Sequence, residues 1–191
     1  MSAWDKPVLP SERELVRKLR DGESDAFSDF IRLYGPRVYD LQCWLCGDPT
    51  AAEDLTQETF VAVWRDIGKF RGKSRLSTWV HRVARNIAMR HLKRRRGQNV
   101  PLEDAGELET SADTETQAQR AVLQGQLREA LQHVPLAQRE AIVLHCLQGL
   151  SHRETANALE RPLGTVKWQI AQGLHALRKA LLRVGVLQDE V

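Results

Sequence analysis

The 191-residue sequence predicts an all-α protein made of two small helical domains joined by a flexible acidic linker. Apolar residues recur with the period of about 3.6 residues that is typical of amphipathic helices, and the Val/Ile/Thr alternation of strands is lacking. Residues 97–119 interrupt this pattern, because they are rich in Thr, Ser, Asp, Glu and Gln and carry few large apolar side chains. We therefore expect domains at residues 1–96 and 120–191, with the linker at 97–119.

The composition favours a cytoplasmic protein with a packed core. Its hydrophobic fraction is 42 %, and no apolar run reaches the roughly 18 residues that a membrane span needs. The first ten residues do not resemble a signal peptide, so we expect the chain to remain in the reducing cytoplasm with its three cysteines as thiols. Cys43 and Cys46 form a CxxC, but the apolar helical pattern around them favours packing over redox or metal chemistry.

Four helices are expected in the first domain. They are predicted at Glu12–Arg20, Ser24 to about Cys46, Thr50–Ile67 and Ser77–Arg96. Ser77 is the expected N-cap of the fourth helix, and Gly35-Pro36 is a candidate kink in the second. In the third helix, the spacing separates a core stripe from a polar face with Asp54, Gln57, Glu58 and Arg65; the stripe comprises Leu55, Thr59, Val63 and Ile67.

The segment 71–96 carries ten basic residues and no acidic one: Arg71, Lys73, Arg75, Arg82, Arg85, Arg90, Lys93, Arg94, Arg95 and Arg96. Helical spacing places several of these cations opposite the apolar stripe of the fourth helix. Solvated helices usually mix the signs of their charges, whereas uncompensated cations favour a polyanionic partner. This distribution, more than the net charge of +3, predicts phosphate contacts with nucleic acid.

Two aromatic residues accompany the basic segment. Phe70 and Trp79 flank a loop that contains Gly72-Lys73-Ser74-Arg75. Aromatic rings beside a basic groove provide stacking platforms for unpaired bases. Packing at a hinge explains Trp79 equally well, so the sequence leaves both interpretations open.

The second domain is expected to contain a helix-turn-helix. Helices are predicted from Ala118 to about His133 and from Pro135 to a stop at Gly149. Ser151-His152-Arg153-Glu154 is a capping box, which predicts a helix from Ser151 to Leu159. A turn at residues 160–162 then leads to a last helix, Leu163–Val184, and Ala156 occupies a close-packing position between the two.

The last helix favours DNA binding over a helical pair with no ligand. Its predicted exposed face carries residues that bind base edges and phosphates, together with a large aromatic side chain. These residues are Thr165, Trp168, Gln169, Gln172, His175 and Lys179.

These motifs, in this order, resemble the extracytoplasmic-function (ECF) sigma factors, two-domain bacterial factors that recruit RNA polymerase to promoters. In the first domain the resemblance is carried by Ala52–Phe60, Trp64, Phe70-Arg71-Gly72, Ser77–Val80, Arg85-Asn86 and Lys93–Arg96. In the second it is carried by Val134-Pro135, Arg139-Glu140, Gly149–Ser151, Glu154, Ala156 and Leu163–Lys167.

The resemblance implies two roles for the first domain. It implies that Asp54, Gln57 and Glu58 dock on the clamp helices of the polymerase β′ subunit. It also implies that a second set of residues opens and captures the minus-ten promoter element. This set comprises Phe70, Arg71, Lys73, Ser74, Arg75, Thr78, Trp79, Arg82, Arg85 and Asn86.

For the second domain, the resemblance implies recognition of the minus-thirty-five element in duplex form and contact with the polymerase β flap. The matching DNA-binding positions are Ser151, Arg153, Thr165, Lys167, Trp168, Gln169 and Gln172. The chain departs from many relatives in Lys167-Trp168-Gln169 and Ala171-Gln172-Gly173, which implies fewer phosphate contacts, and in Glu160, where relatives often have glycine. The resemblance implies that the acidic linker follows the path of RNA in polymerase, whereas its composition alone favours a solubilising tether between the domains. It also implies an anti-sigma factor, often membrane-bound, as a further partner.

A stand-alone helix-turn-helix regulator is the alternative function. It leaves the acidic face of the third helix and the aromatic loop without a role. An enzyme is not expected, because the sequence has no Gly-rich phosphate loop, metal-ligand cluster or nucleophile with a partner base. We therefore expect no catalytic residue, metal, cofactor or small-molecule substrate.

Overall fold

The computed structural model describes residues 11–97 and 115–186. Within these ranges it is all-α, as predicted, with no β-strand. The N-terminal domain comprises α1 (Ser11–Arg20), α2 (Ser24–Cys46), α3 (Pro49–Asp66) and α4 (Leu76–Gly97). The C-terminal domain comprises α5 (Glu115–Gln132), α6 (Leu136–Ile142), α7 (His152–Leu159) and α8 (Leu163–Arg183).

Most of the predicted linker lies outside the described residues. Helix α5 begins at Glu115, three residues before the predicted start at Ala118, so it extends into the segment predicted as linker. Residues 115–119 are Glu-Thr-Gln-Ala-Gln, whose helix propensity is largely favourable but which lack the apolar spacing that marks an amphipathic helix. Among the helices described, none is long and apolar enough to cross a membrane.

Helix α2 is the central element of the N-terminal domain. It continues through Pro36 as one helix and buries Phe30, Leu41 and Leu45 completely against its neighbours. It ends at Gly47, whose φ of 77° is a left-handed conformation that glycine adopts without steric cost. Asp48 then caps α3 by accepting a hydrogen bond from the amide of Ala51 at 3.0 Å. The predicted separation of α3 into a buried stripe and an exposed polar face is confirmed.

The start of α4 differs from the prediction. Ser77 is the second residue of the helix and is buried, so the prediction that it forms the N-cap is wrong. Instead, a carboxylate oxygen of Glu12 in α1 accepts a hydrogen bond from the amide of Leu76 at 2.6 Å. An acidic group at a helix N-terminus satisfies a free amide and interacts favourably with the helix dipole. Because Glu12 precedes Leu76 by 64 residues, local capping rules do not detect this contact.

We predict that Glu12→Ala lowers the free energy of unfolding by about 1–2 kcal/mol, because the first turn of α4 loses a charged hydrogen-bond acceptor. Urea denaturation followed by circular dichroism measures this loss. Glu14→Ala is the matched control, since Glu14 makes only an exposed ion pair with Lys18 and its loss should cost less than about 0.5 kcal/mol. Equal stabilities of the two variants would contradict the capping role of Glu12.

The helix-turn-helix of the C-terminal domain forms as predicted. Ser151 accepts a hydrogen bond from the Glu154 amide, and the Glu154 carboxylate accepts one from the Ser151 amide, which confirms the capping box. Ala156 is buried between the helices. Glu160 ends α7 with a φ of 54°, a left-handed conformation in which glycine is more usual. The preceding α6 continues into a single π-helical turn, Val143–Leu147, before the turn at Gly149.

The two domains pack against each other. Helix α4 contacts α7, and α2 contacts α5, so the buried apolar residues of both domains form one continuous core. Arg139 joins the domains at the end of α2: its guanidinium donates to the Leu45 carbonyl at 2.9 Å and to the Gln132 carbonyl at 2.8 Å. Burial lowers the pKa of Arg139 to about 10, which still leaves the side chain charged at neutral pH.

Candidate polymerase and promoter interfaces

The polar face of α3 is exposed to solvent. Asp54, Gln57 and Glu58 are all exposed on it, and Glu58 forms an ion pair with Arg90 of α4 at 2.8 Å. Val61 and Trp64, one turn further along α3, are 65 % and 39 % exposed. In the sequence, Trp64 stands out only as a family motif residue, and Val61 carries no signal of its own. The structure therefore adds an exposed apolar patch to the polar residues predicted for polymerase binding.

A cavity of about 330 Å³ lies where the 67–75 loop meets α4. It brings together many of the residues predicted for the minus-ten element. Its lining is Lys69, Phe70, Arg71, Lys73, Ser74, Thr78, Trp79, Arg82 and Asn157. The cavity combines aromatic rings, hydroxyl groups and cations, which is the chemistry required to hold a nucleotide base next to its phosphate.

The two aromatic residues of this cavity are more buried than a free stacking platform would be. Phe70 and Trp79 are each 7 % exposed, and their ring centroids are 5.5 Å apart. Arg20 of α1 donates a hydrogen bond to the Phe70 carbonyl and so fixes the loop. Trp79 thus has the packing role that the sequence left open, while its ring also lines the cavity.

Thr78, one of the residues predicted for the minus-ten element, lies in this lining. Its side chain is 3 % exposed, and its hydroxyl has no hydrogen-bond partner in the part of the chain that the structure describes. A buried hydroxyl without a partner is costly, and functional sites are one place where such groups occur. A bound base edge would satisfy this hydroxyl.

More cations of the basic segment are paired with carboxylates than its sequence suggests. Arg82 pairs with Glu160 at 3.3 Å, Arg85 with Glu140 at 2.6 Å, and Arg75 with Glu154 at 3.6 Å. All three acids belong to the C-terminal domain. The prediction of unpaired cations is therefore wrong for these arginines, because the acids that neutralise them lie more than 50 residues away in sequence.

Other members of the segment remain available to phosphate. Arg71, Lys73 and Asn86 are exposed, and Asn86 accepts a hydrogen bond from Arg85 at 2.9 Å. At the end of α4, Lys93, Arg94 and Arg96 are exposed. Arg95 differs from them, since its side chain is 18 % exposed and pairs with Asp48 at 3.3 Å.

The recognition helix α8 presents most of its predicted DNA-binding residues to solvent. Thr165, Lys167 and Gln172 are exposed, and Trp168 is 58 % exposed. Gln169 is the exception: it is 8 % exposed and accepts a hydrogen bond from Arg161 at 3.1 Å. The prediction that Gln169 lies on the exposed face is wrong, because Arg161 from the turn covers this position.

On the helix before the turn, both predicted positions are accessible. Arg153 and Ser151 are exposed, although the Ser151 hydroxyl is engaged in the capping box. Ser151 therefore has a clear local function that does not require DNA.

The residues that connect the two domains were not predicted from the sequence. Glu140 is 1 % exposed and lies between Arg85 and Arg161, with Arg161 at 2.5 Å. His81 is 2 % exposed; its Nδ1 donates to the Ser77 carbonyl, and its Nε2 lies 3.2 Å from the Gln148 amide oxygen. Burial lowers the pKa of His81, so the ring is neutral at pH 7. Only the family motif Arg139-Glu140 pointed to this region.

The cysteines of the CxxC are core residues. Cys43 and Cys46 are 5 % and 1 % exposed and are not bonded to each other. Burial raises the pKa of Cys46 to about 12, which keeps its thiol protonated at neutral pH. Packing against the other core side chains accounts for both residues.

Sequence comparison relates both domains to one family. Residues 30–98 match the family model for "Sigma-70 region 2", and residues 124–177 match that for "Sigma-70, region 4". The RNA polymerase sigma-H factor of Pseudomonas aeruginosa is 31 % identical over 181 residues, which cover 89 % of this chain and 93 % of that protein. The ECF RNA polymerase sigma factor SigW of Bacillus subtilis is 29 % identical over 179 residues, covering 88 % and 96 %.

Solved structures show the same fold. CnrH, solved in complex with the cytosolic domain of CnrY, matches with a TM-score of 0.66 and 23 % identity over 89 % of this chain and 96 % of that chain. The sigma factor RpoE of Bartonella quintana, solved with the anti-sigma factor NepR, matches with a TM-score of 0.65 and 24 % identity over 81 % and 96 %.

The two helical domains, with a helix-turn-helix and a basic cavity, define a transcription factor of the initiation machinery. The chain belongs to the extracytoplasmic-function sigma factors of the sigma-70 family. Members of this family bind core RNA polymerase and promoter DNA, and they are initiation factors rather than catalysts. The family assignment favours this function over a stand-alone helix-turn-helix regulator.

Proposed function

We propose a division of labour in which residues 1–96 bind polymerase and open the minus-ten element, and residues 120–191 read the minus-thirty-five element. Residues 97–119 join the two activities. The cavity at the start of α4 carries this proposal, because it combines two aromatic rings, cations and an unpartnered hydroxyl at one site. Single-strand capture requires these groups, whereas duplex binding alone does not.

Run-off transcription with purified bacterial core RNA polymerase tests the proposal. Genomic fragments serve as templates, and start sites are mapped from the transcripts. We expect transcripts that begin at discrete positions and share a common element about ten base pairs upstream of the start. Transcripts identical to those from core polymerase alone would contradict the proposed function.

For polymerase binding, we propose Asp54 and Gln57 as the principal contacts of α3, with Glu58 beside them. Asp54 and Gln57 are exposed, whereas Glu58 also pairs with Arg90. Val61 and Trp64 supply the apolar component that a stable interface needs next to such polar groups.

For minus-ten capture, we propose that a flipped base enters the cavity between the 67–75 loop and α4. Lys73 and Arg71 at its rim would contact the phosphates on either side of that base. The Thr78 hydroxyl would bond to the base edge, and the rings of Phe70 and Trp79 would replace the stacking lost from the duplex.

For the minus-thirty-five element, we propose Thr165, Lys167, Trp168 and Gln172 as the contacting residues. They lie at the start of α8, the part of a recognition helix that enters the major groove. With one cation among the four, this contact depends more on base edges than on phosphates.

We also propose that an anti-sigma factor regulates the chain in the bacterial cytoplasm and that the factor holds it at the inner membrane. Covering Val61 and Trp64 would remove an exposed apolar surface and prevent polymerase binding with one contact. Addition of such a factor should therefore compete with core polymerase, and simultaneous binding of both partners would refute this mechanism.

The cations at the end of α4 allow a separate prediction. Combined replacement of Lys93, Arg94 and Arg96 by alanine should reduce the slope of log K against log salt concentration for DNA binding by about 2–3, because each lost phosphate contact lowers it by roughly 0.7–0.9. Fluorescence anisotropy at several salt concentrations measures the slope. A triple variant at Arg13, Arg17 and Arg32, exposed cations of α1 and α2, should retain it. An equal loss in both variants would indicate a general charge effect.

A further inference from the structure

We propose that Arg161, in the turn between α7 and α8, is a positioning residue that sets the orientation of the recognition helix on α6. Through that orientation it determines how selectively the chain reads the minus-thirty-five element. This inference rests on the minus-thirty-five role proposed above for α8. Arg161 contacts no base in this assignment, because it acts through the placement of α8.

The backbone of Arg161 is fixed before its side chain reaches a partner. Glu160 ends α7 in the left-handed conformation, with a φ of 54°, and the Arg161 amide then donates to the Ala156 carbonyl of α7 at 3.1 Å. Pro162 follows, and its ring restricts the chain again just before α8 begins. The turn therefore provides a rigid base for the Arg161 side chain.

The Arg161 guanidinium joins α6 to α8. Its Nη1 donates to the Ala137 carbonyl at 3.2 Å and to the Gln169 amide oxygen at 3.1 Å, while Nη2 donates to a carboxylate oxygen of Glu140 at 2.5 Å. Ala137 and Glu140 belong to α6, whereas Gln169 lies in the second turn of α8. Because a planar guanidinium donates in fixed directions, this one side chain restrains both the separation and the angle of the two helices.

The Glu140 carboxylate makes this link stronger than a surface contact. The Glu140 side chain is 1 % exposed and that of Arg161 is 23 % exposed, so water competes little for either group. The other oxygen of Glu140 pairs with Arg85 at 2.6 Å, and the carboxylate therefore keeps a cation when Arg161 is removed. Loss of the Arg161 side chain should thus release α8 without unfolding the domain.

A second contact holds α8 one turn further along. A Cβ atom at Gly173 would lie 2.6 Å from Cδ1 of Ile142 in α6, so the two helices approach closely at this point. The apolar stripe of α8 packs on the same side, but apolar packing is not directional and a helix can pivot about one close contact. The bonds of Arg161 at Gln169 supply the second point that fixes the direction of α8.

The direction of α8 matters because the proposed DNA contacts lie beside this link. Thr165 and Gln172 project within about 60° of Gln169 around the helix axis. Together with Trp168, they contact base edges only when α8 lies at the correct depth and angle in the groove. Lys167 is the one cation among the proposed contacts, and attraction to phosphate depends less on exact placement. A tilted helix should therefore lose selectivity more than affinity.

The first test measures the angle between α6 and α8 in the full chain, from residual dipolar couplings of the backbone amides. The variant is Arg161→Ala, and Arg178→Ala is the matched control because Arg178 is an exposed cation of α8 beyond the proposed DNA contacts. We expect α8 to reorient by at least about 10° in Arg161→Ala, which is the tolerance that a binding site allows, and to keep its angle in the control. An unchanged angle in Arg161→Ala would overturn the proposal.

The second test measures DNA selectivity by fluorescence anisotropy. The probe is a short duplex that the wild-type chain selects from a random-sequence pool, and the reference is the same duplex with its sequence scrambled. We expect the ratio of the two affinities to fall at least about tenfold in Arg161→Ala, because one misplaced base contact costs roughly that much. Affinity for the scrambled duplex should change no more than in Arg178→Ala. Equal losses on both duplexes would indicate a merely destabilised domain and would also overturn the proposal.

Arg161→Lys separates charge from geometry. The lysine keeps a cation beside Glu140 but lacks the planar fork that bonds both helices, so this variant should fold as wild type does. It should still lose selectivity, in the same direction as Arg161→Ala. Full selectivity in Arg161→Lys would show that charge alone is sufficient and would contradict the positioning role.

A relocated guanidinium provides the rescue. In Arg161→Ala with Gln169→Arg, the new side chain starts on α8 and reaches toward Glu140, so the helix angle and the selectivity should both return toward their wild-type values. Failure to recover either would refute the link as the cause. The angle is measured without DNA, so a wild-type chain that selects no duplex would contradict the proposed minus-thirty-five function, while the couplings would still decide the role of Arg161.

Discussion

Replacing Asp54 and Gln57 together by alanine is expected to lower the affinity for core RNA polymerase by at least about 100-fold. A central interface residue typically contributes about 2 kcal/mol or more, and about 1.4 kcal/mol corresponds to a tenfold change. Both side chains are exposed on α3, so their removal should leave the fold intact. Glu58 is retained in this variant because it also pairs with Arg90. Its removal would therefore change both polymerase binding and the contact between α3 and α4.

Binding is measured by titration of labelled core polymerase, and folding by thermal unfolding of the free chain. Glu14→Ala is the control, because it removes an exposed carboxylate from α1 and leaves the proposed docking face of α3 unchanged. It should bind as wild type does. Undiminished binding by the double variant, with Glu14→Ala unchanged, would exclude this face as the docking site.

Trp79→Ala is expected to have the second large effect, on stability and on promoter opening together. Truncation of a buried tryptophan costs about 3–5 kcal/mol, and here it also removes the ring contact with Phe70. The free energy of unfolding, measured in urea, should fall by that amount. Promoter opening, measured by permanganate reactivity of unpaired thymines, should be lost, while duplex binding by α8 should persist.

Two further variants separate the structural part of this effect from base capture. Trp79→Phe retains most of the packing, so it should recover most of the stability. Thr78→Val removes only the unpartnered buried hydroxyl, so it should leave stability unchanged or raise it. If the cavity holds a base, Thr78→Val should still reduce opening severalfold. Full opening by Thr78→Val would remove the hydroxyl from the proposed contacts.

The secondary structure was largely predictable because its signals are local. The capping box at Ser151 and Glu154 involves residues three apart, and the stripe on α3 repeats within single turns. The glycine at position 47 ends α2 through its own backbone conformation. Such features depend on neighbours within about four residues, so they can be recognised before the tertiary fold is known.

The sites were only partly predictable. Exposure of Asp54, Gln57 and Glu58 followed from the helical spacing of α3. Burial of Gln169 did not, because Arg161 reaches it from the turn rather than from the same helix. Asn157 carries no motif that links it to Phe70 and Trp79, and it lines their cavity only because α7 packs on α4.

The sequence by itself determined the all-α class, the helix-turn-helix and the basic segment, since each follows from composition or from the spacing of residues along single helices. Tertiary structure decided which charges are neutralised. The basic segment has ten cations and no acid along the chain, so its sequence predicts unpaired charges. In the structure, however, Arg82 pairs with Glu160 and Arg85 pairs with Glu140 across the contact between the domains. Coulombic interactions depend on distance in space, and packing two domains together brings charges within 4 Å that are 50 or more residues apart in sequence.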